Sequence, residues 1–314
     1  MCPRRRSGDD PMRRDVVEHT PDGYEPPLNT QEFLTRKEDG ETFFRRAELS
    51  GGELTKADLQ GLDLCGANLE NAELWGARLD GTILWSANLR FAHLADASFQ
   101  TAELWGADLT GATLDKAKFG GAQLWEVDFS GTQCWGTDFS NTDLLEADFC
   151  GADLTNADLS GAKVTKVTYD RKCKCRGVRI DTASGDPLFK RFVQDQDYIE
   201  AYADRHSVIA FVWWLMADYG QSLLRFALWS VLIAVSFGLA MFWFPEWFAC
   251  NEDKVVTPFT YFYYSIVTFT TLGFGDVVPI SWHGEVLVTV EVILGYIMLG
   301  GLISILAQKL ARRS

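Results

Sequence analysis

Histidine is scarce in this chain, with four copies in 314 residues that lie far apart. No nucleophile, base or metal-ligand constellation recurs, so an enzyme is not expected and no cofactor is implied. Positive charge is also in deficit. With 29 Lys and Arg against 43 Asp and Glu, the formal net charge is -14. A nucleic-acid binder would need a basic face, so nucleic acid is excluded as a partner. The seven cysteines are scattered, which argues against a disulfide framework and for a reducing compartment; only Cys250 is expected outside a membrane. Cys173 and Cys175 supply two of the four ligands of a structural zinc, so no metal is expected there. No apolar run follows Arg4, Arg5, Arg6, Arg13 and Arg14, which excludes a secretory signal. Residues 1–40 read as a disordered tail with little to bury. No nucleotide fold or calcium loop can be read.

What is present begins with a repeat. From Ala47 to about Lys166 the sequence recurs every five residues without a slip, as in Ala57-Asp58-Leu59-Gln60-Gly61, Ala67-Asn68-Leu69-Glu70-Asn71 and Ala107-Asp108-Leu109-Thr110-Gly111. A period of five fits neither strand alternation nor the helical period. It suits a solenoid, in which each coil buries its apolar residues against the next. The tract resembles pentapeptide-repeat proteins. That resemblance implies a right-handed quadrilateral β-helix over 41–170, with one repeat per side. The central Leu or Phe (Leu49, Leu54, Leu59 and onward to Phe149, Leu154, Leu159) and the small residue two before it would point inward. Four repeats per coil give about six coils and a column about 29 Å tall at roughly 4.8 Å per coil. Some members of that family imitate DNA by their acidity, but here Asp and Asn are expected simply to suit the outward position before each Leu.

Residues 20 apart share a side. One side then carries Cys65, Trp85, Trp105, Trp125 and Leu145, and another carries Trp75 and Trp135. A ladder of surface tryptophans marks a contact with another protomer or an unknown cytoplasmic protein, or else stacks on itself.

Residues 171–222 read as a connector. Asp186 caps a helix with Pro187 at its first position, and Leu188, Phe189, Phe192, Val193, Ile199 and Tyr202 are expected on one face. The apolar stretch Ser207–Ala217 is too short to span a bilayer; it reads either as a helix lying on the membrane or as a core helix of a cytoplasmic connector.

Residues 223–314 hold two apolar spans, 226–244 and 284–308, long enough to cross a membrane. Between them Pro258 opens a short helix, 258–270, with Thr257 as its cap. Its C-terminal end carries the partial negative charge of the helix dipole. It leads directly into Thr270-Thr271-Leu272-Gly273-Phe274-Gly275-Asp276. Glycines at alternate positions let successive carbonyls point to one side, and four such strands around an axis make cages that replace a cation's water shell. This segment resembles the pore loop of two-transmembrane potassium channels, whose Thr-Val-Gly-Tyr-Gly-Asp stands here as Thr271-Leu272-Gly273-Phe274-Gly275-Asp276. The resemblance implies potassium bound at Thr271, Leu272, Gly273 and Phe274, an all-α pore domain and a homotetramer. Phe274 lacks the hydroxyl that would brace the filter outward.

The same resemblance places a bend of the inner helix at Gly295. Below it Tyr296, Leu299, Ile303 and Ala307 share a face expected to line the cavity and close its mouth. Gly300 and Gly301 are expected to permit close helix packing. Glu291, a carboxyl inside a span, needs a partner; it is expected to be neutral or to bond a pore-helix hydroxyl such as Tyr264 or Thr268, behind the filter and not in the ion path, and Tyr263 is expected to bond Asp276. His283 and Glu285 are placed at the outer mouth. Arg225, Lys309, Arg312 and Arg313 flank the spans on one side, which puts both termini in the cytoplasm of a cell membrane. No helix has regularly spaced arginines, so no voltage sensor is expected. The reading is a potassium channel with a cytoplasmic solenoid; the alternative is a membrane-anchored scaffold.

Overall fold

The computed structural model describes residues 25–27, 29–219, 222–250, 257–270 and 277–311. They form two compact units, Met1–Ala201 and Tyr202–Ser314.

The first unit is a solenoid built by one repeated turn. Each five-residue repeat closes with an N–H to C=O bond from the small residue back to the preceding central residue, as from Ala57 to Leu54 (3.0 Å). The residue just before the small one takes positive φ, from +53° at Ser86 to +74° at Gly121. A turn with left-handed geometry at that position favours Gly and Asn, which is why they recur there. Successive coils pair in parallel at a 20-residue offset, as in Glu48↔Asn68, Asn68↔Asn88 and Asn88↔Asp108. Each coil is therefore four repeats. Asp or Asn before the central residue accepts the N–H two residues on, for example Asp128 Oδ1 from Ser130 (2.8 Å) and Asp148 Oδ1 from Cys150 (2.8 Å). Much of the acidity of this unit is thus local turn chemistry.

Inside, the small and central residues are buried from Ala47 and Leu49 to Ala162 and Val164. Phenylalanines form columns, with Phe99, Phe119 and Phe139 stacked at 4.7 and 5.2 Å and Phe129 and Phe149 at 5.0 Å. Buried threonines in small positions return their hydroxyls to backbone carbonyls, Thr132 to Phe129 (2.7 Å) and Thr142 to Phe139 (2.6 Å), so no polar group is left stranded there.

Both ends differ from the expectations. Residues 1–40 were expected to be a disordered tail, yet helix α1 (Thr30–Glu38) is formed. Asn29 caps it through its side chain to Glu32 N–H (2.9 Å), and Phe33, fully buried, meets Phe44 edge-on at 4.6 Å. A solenoid exposes its core at the first coil, and this helix covers it. Coil pairing already begins at Phe43↔Asp63.

At the other end the fold does not stop near 170. The offset changes from 20 to 21 residues, with Asp153↔Lys174 and Asp158↔Arg179. Strands β1 (Lys163–Val164) and β2 (Ser184–Gly185) then pair in parallel. One inserted residue hides the period, but Cys173, Cys175, Ile180 and Ala183 still occupy the core. Cys173 and Cys175 are thus core residues, 3.7 Å apart at sulfur. Burial pushes the Cys134 thiol up to about 12 and, with the Asp63 charge, Cys65 up to about 11. Such thiols are inert. Cys150 is disulfide-bonded.

Helix α2 (Pro187–Arg205) follows. Its Phe189 and Val193 close the last coil, with Phe189 5.1 Å from Tyr169 and Phe192 4.6 Å from it. Leu188, expected on this face, is instead 58% exposed, because Asp186 Oδ1 holds its N–H and the first turn points it outward.

The second unit contains α3 (Ser207–Ala217), α4 (Leu223–Trp243), a 3₁₀ turn (Pro245–Trp247), β3 (Phe248–Cys250), α5 (Pro258–Phe269), β4 (Val277–Pro279) and α6 (Trp282–Ala311). Helices α4 and α6 are long and apolar enough to cross a membrane. Both lean on the short α5, and β3 pairs antiparallel with β4. Helix α3 buries Ala210 and Ala217 but exposes Val208, Ile209, Phe211 and Trp214. It is tied to α4 by the Trp229 indole donating to the Leu215 carbonyl (3.1 Å).

Candidate functional site

The predicted ion-binding residues Thr271, Leu272, Gly273, Phe274 and Gly275, with Asp276, lie outside the described residues. Their two flanks are described. Upstream, α5 starts at a capping box in which Thr260 Oγ1 accepts the Thr257 N–H (3.0 Å). It ends at Thr270, whose N–H bonds Ile266 (3.0 Å) and whose hydroxyl bonds the same carbonyl (2.8 Å). Downstream, Val277 is buried and β4 is held by β3, with Cys250↔Val277 and Phe248↔Pro279 in register. The Trp247 carbonyl extends this pairing by accepting the Ile280 N–H (2.9 Å). The glycine-rich loop therefore runs from the carboxyl end of a helix to a strand anchored beside the end of α4.

The carboxyl end of α5 rests against α6 at Gly295. A Cβ built there would meet the Phe269 carbonyl oxygen, with the carbonyl carbon at 3.0 Å and the Phe269 Cα at 3.2 Å. Gly295, expected to mark a bend, is a point of close backbone approach within the helix Trp282–Ala311. Similarly, Gly238 of α4 lets Phe262 approach, its Cα 3.1 Å from where a Cβ would stand. Gly301 meets the Phe226 ring, but Gly300 has nothing within 4 Å, so only one of the two glycines expected to aid packing does so in this chain.

Helix α6 has two distinct sides. Glu291, Gly295, Met298 and Ile305 are buried. The expected lining residues Tyr296, Leu299, Ile303 and Ala307 are all exposed, at 61%, 45% and 58% for the first three. An apolar cavity of about 310 Å³ lies between α4, the end of α5 and α6, bounded by Val231, Ala234, Phe269, Gly295 and Met298 among others.

Glu291 meets a hydroxyl of α5, the kind of partner expected, but it is that of Ser265 and not of Tyr264 or Thr268. Its Oε1 contacts Ser265 Oγ of α5, and Ser265 Oγ lies 2.6 Å from the Ala234 carbonyl of α4. Tyr264 pairs instead with Thr268 on its own helix. A serine inside an apolar helix carries no sequence signal of what stands opposite; only the packing of α5 between α4 and α6 reveals it. Tyr263 is 48% exposed. His283 stacks on Trp247 (5.0 Å) and lies tilted against Trp282 (3.7 Å), while Glu285 is exposed.

In the solenoid, Trp85, Trp105 and Trp125 stack at 5.1 and 4.8 Å, nearly parallel. They are half-buried. The first two indoles donate to acceptors one coil on, Glu103 Oε2 (3.0 Å) and Gln123 Oε1 (3.1 Å). The equivalent residue for Trp125 is Asp143, one methylene shorter, whose Oδ2 instead takes Lys163 (3.2 Å); the Trp125 Nε1 is buried without a partner among the described residues. Trp75 and Trp135 are exposed, each under a lysine ammonium, Lys56 at 4.6 Å and Lys116 at 5.2 Å.

Comparison with known proteins matches both parts. Residues 229–312 match a family model described as Ion channel. Eight copies of a family described as Pentapeptide repeats match within 47–85, 87–131, 107–145 and 132–168. Among solved structures, the chain is similar to HetL, a pentapeptide repeat protein from the cyanobacterium Nostoc sp. strain PCC 7120. The identity is 20% and the TM-score 0.28, covering 50% of this chain and 94% of that one. It is also similar to full-length QnrB1, a plasmid-mediated fluoroquinolone resistance protein, at 19% identity and a TM-score of 0.37, covering 49% and 88%. No curated protein matches the chain.

Proposed function

We propose, for a chain that joins a pentapeptide-repeat domain to an ion-channel domain, that it conducts potassium selectively as a homotetramer. Its pore lies on the four-fold axis in the cell membrane, and its solenoid, a right-handed quadrilateral β-helix, lies in the cytoplasm. One observation carries the reading: a short capped helix, Pro258–Phe269, sits between two membrane-length helices and delivers its carboxyl end to Thr271–Asp276. That end bears partial negative charge. The loop's alternating glycines allow its carbonyls to form the rings that coordinate a dehydrated cation. Four copies complete the cage, and the exposed Tyr296, Leu299, Ile303 and Ala307 then line the shared path. The basic residues outside the two spans support cytoplasmic termini.

Conduction is passive, and potassium is the transported species rather than a cofactor. Membrane lipid covers the outer faces of α4 and α6. On the solenoid, the tryptophan ladder is a contact with another protomer; replacing Trp85, Trp105 and Trp125 by Ser and weighing the assembly by light scattering tests this, and an unchanged mass rejects it. The channel reading is tested by potassium flux into liposomes. Wild type is expected to pass potassium in preference to sodium, and Gly273→Ala to abolish flux. Unselective leakage, or flux indifferent to Gly273→Ala, rejects it.

A further inference from the structure

Glu291 is a carboxyl with no exposed surface, in the middle of a helix of membrane-crossing length. Around it the hydrogen-bonding groups can be counted. Ser265 Oγ touches Glu291 Oε1 on α6 and lies 2.6 Å from the Ala234 carbonyl oxygen on α4. A hydroxyl carries one proton, and a carbonyl and an ionised carboxylate both only accept. With a carboxylate at 291, two acceptors would compete for one hydrogen. Glu291 Oε2 would also be a buried charged oxygen with nothing donating to it, since it has no partner among the described residues. A buried unpaired charge is the costliest arrangement a polar group can take, in a membrane especially. No charged side chain among the described residues pairs with Glu291. On the facing helix Tyr264 is engaged with Thr268.

A neutral acid resolves the count. The Glu291 O–H donates to Ser265 Oγ, the Ser265 O–H donates to the Ala234 carbonyl, and the remaining Glu291 oxygen is an uncharged carbonyl. The chain of two bonds then joins all three helices: α6 through Glu291, α5 through Ser265 and α4 through its backbone. Gly295 follows Glu291 by one turn of α6 and touches the Phe269 carbonyl at the end of α5. The clasp and the close approach therefore act on the same short helix from the same side.

We infer that Glu291 is a positioning residue held as the neutral acid, whose proton closes a three-helix clasp that sets where the carboxyl end of α5 stands. Its chemistry is independent of the ion carried; its effect on conduction rests on the channel reading above.

The test uses the full chain assembled in liposomes, as wild type, Glu291→Gln, Glu291→Ala and Ser265→Ala. Infrared difference spectra of wild type against Glu291→Gln are expected to show the C=O absorption of a protonated carboxylic acid that the Gln variant lacks; carboxylate bands in its place overturn the inference. Gln offers an uncharged donor and an acceptor, so Glu291→Gln is expected to keep potassium flux within about twofold of wild type, whereas Glu291→Ala and Ser265→Ala lose about tenfold or more. A Gln variant as inactive as the Ala variant also overturns it. Should Glu291→Ala fail to assemble, the spectral comparison and the flux of Glu291→Gln decide the matter by themselves. A neutral-acid band in a wild type that passes no potassium would leave the clasp standing and remove the channel reading; carboxylate bands with intact selective flux would do the reverse.

Discussion

Replacing Gly295 and Gly300 by Ala, one at a time, tests the geometry at the carboxyl end of α5 with two chemically identical changes in one helix. At Gly300 an added methyl meets nothing within 4 Å among the described residues of its own chain. There the substitution only relieves the backbone entropy of glycine, worth about 1 kcal/mol in favour of the helix. At Gly295 the same methyl meets the Phe269 carbonyl oxygen, with the carbonyl carbon at 3.0 Å and the Cα at 3.2 Å. All three are backbone atoms at the end of α5, so no rotamer change clears the space. Overpacking of this kind costs roughly 1–3 kcal/mol, and subtracting the helix gain leaves Gly295→Ala roughly 0–2 kcal/mol less stable than wild type. The assay is thermal or denaturant unfolding of the full chain in detergent, followed by near-ultraviolet circular dichroism, with the potassium-to-sodium flux ratio measured in parallel. Gly300→Ala should be neutral or stabilising with an unchanged ratio. Gly295→Ala should be destabilised and, on the proposed channel reading, should lower the ratio, because the displaced atoms end the helix that precedes the proposed filter. If Gly295→Ala were as stable and selective as Gly300→Ala, the close approach of α6 to the end of α5 would be wrong.

Phe33→Ala should cost about 3–5 kcal/mol, the usual range for a fully buried phenylalanine; chemical denaturation of the solenoid transition measures it, and a loss below 1 kcal/mol would mean that α1 does not seal the first coil. Asp128→Asn should preserve the bond to the Ser130 N–H and unfold like wild type, whereas Asp128→Ala should lose about 0.5–1.5 kcal/mol; equal losses would show that the charge, not the turn, matters there. Trp105→Phe breaks the bond to Gln123 and should cost about 0.5–1.5 kcal/mol more than replacing Trp125 by Phe, since the Trp125 indole N–H has no partner among the described residues, as read from denaturation midpoints. Equal costs would refute the assignment of hydrogen bonds along the ladder.

What could be read from the sequence was whatever repeats or depends on neighbours in the chain. The five-residue period set the inward residues from Leu49 to Leu159, because each turn is closed by bonds between residues three apart and the stack is then forced by burial. The capped helix at Thr257 and Pro258 was legible for the same reason, as was the length of the two apolar helices. The ends of the solenoid were not. A single inserted residue before Cys173 breaks the period while leaving the coil intact, and α1 is recognisable as a cap only once an open coil end is there to be covered by Phe33.

The interior of the pore unit depended on tertiary structure for a further reason. A serine among aromatic residues, a carboxyl in a span and a glycine in a helix each have several possible partners, and local rules rank none of them. Ser265, Glu291 and Gly295 acquire their roles from the way α5 wedges between α4 and α6, which brings the Ala234 carbonyl and the Phe269 carbonyl within reach. Composition and period determined which elements form; the packing of three helices, where burial makes every unpaired proton and every added methyl costly, decided what those residues touch.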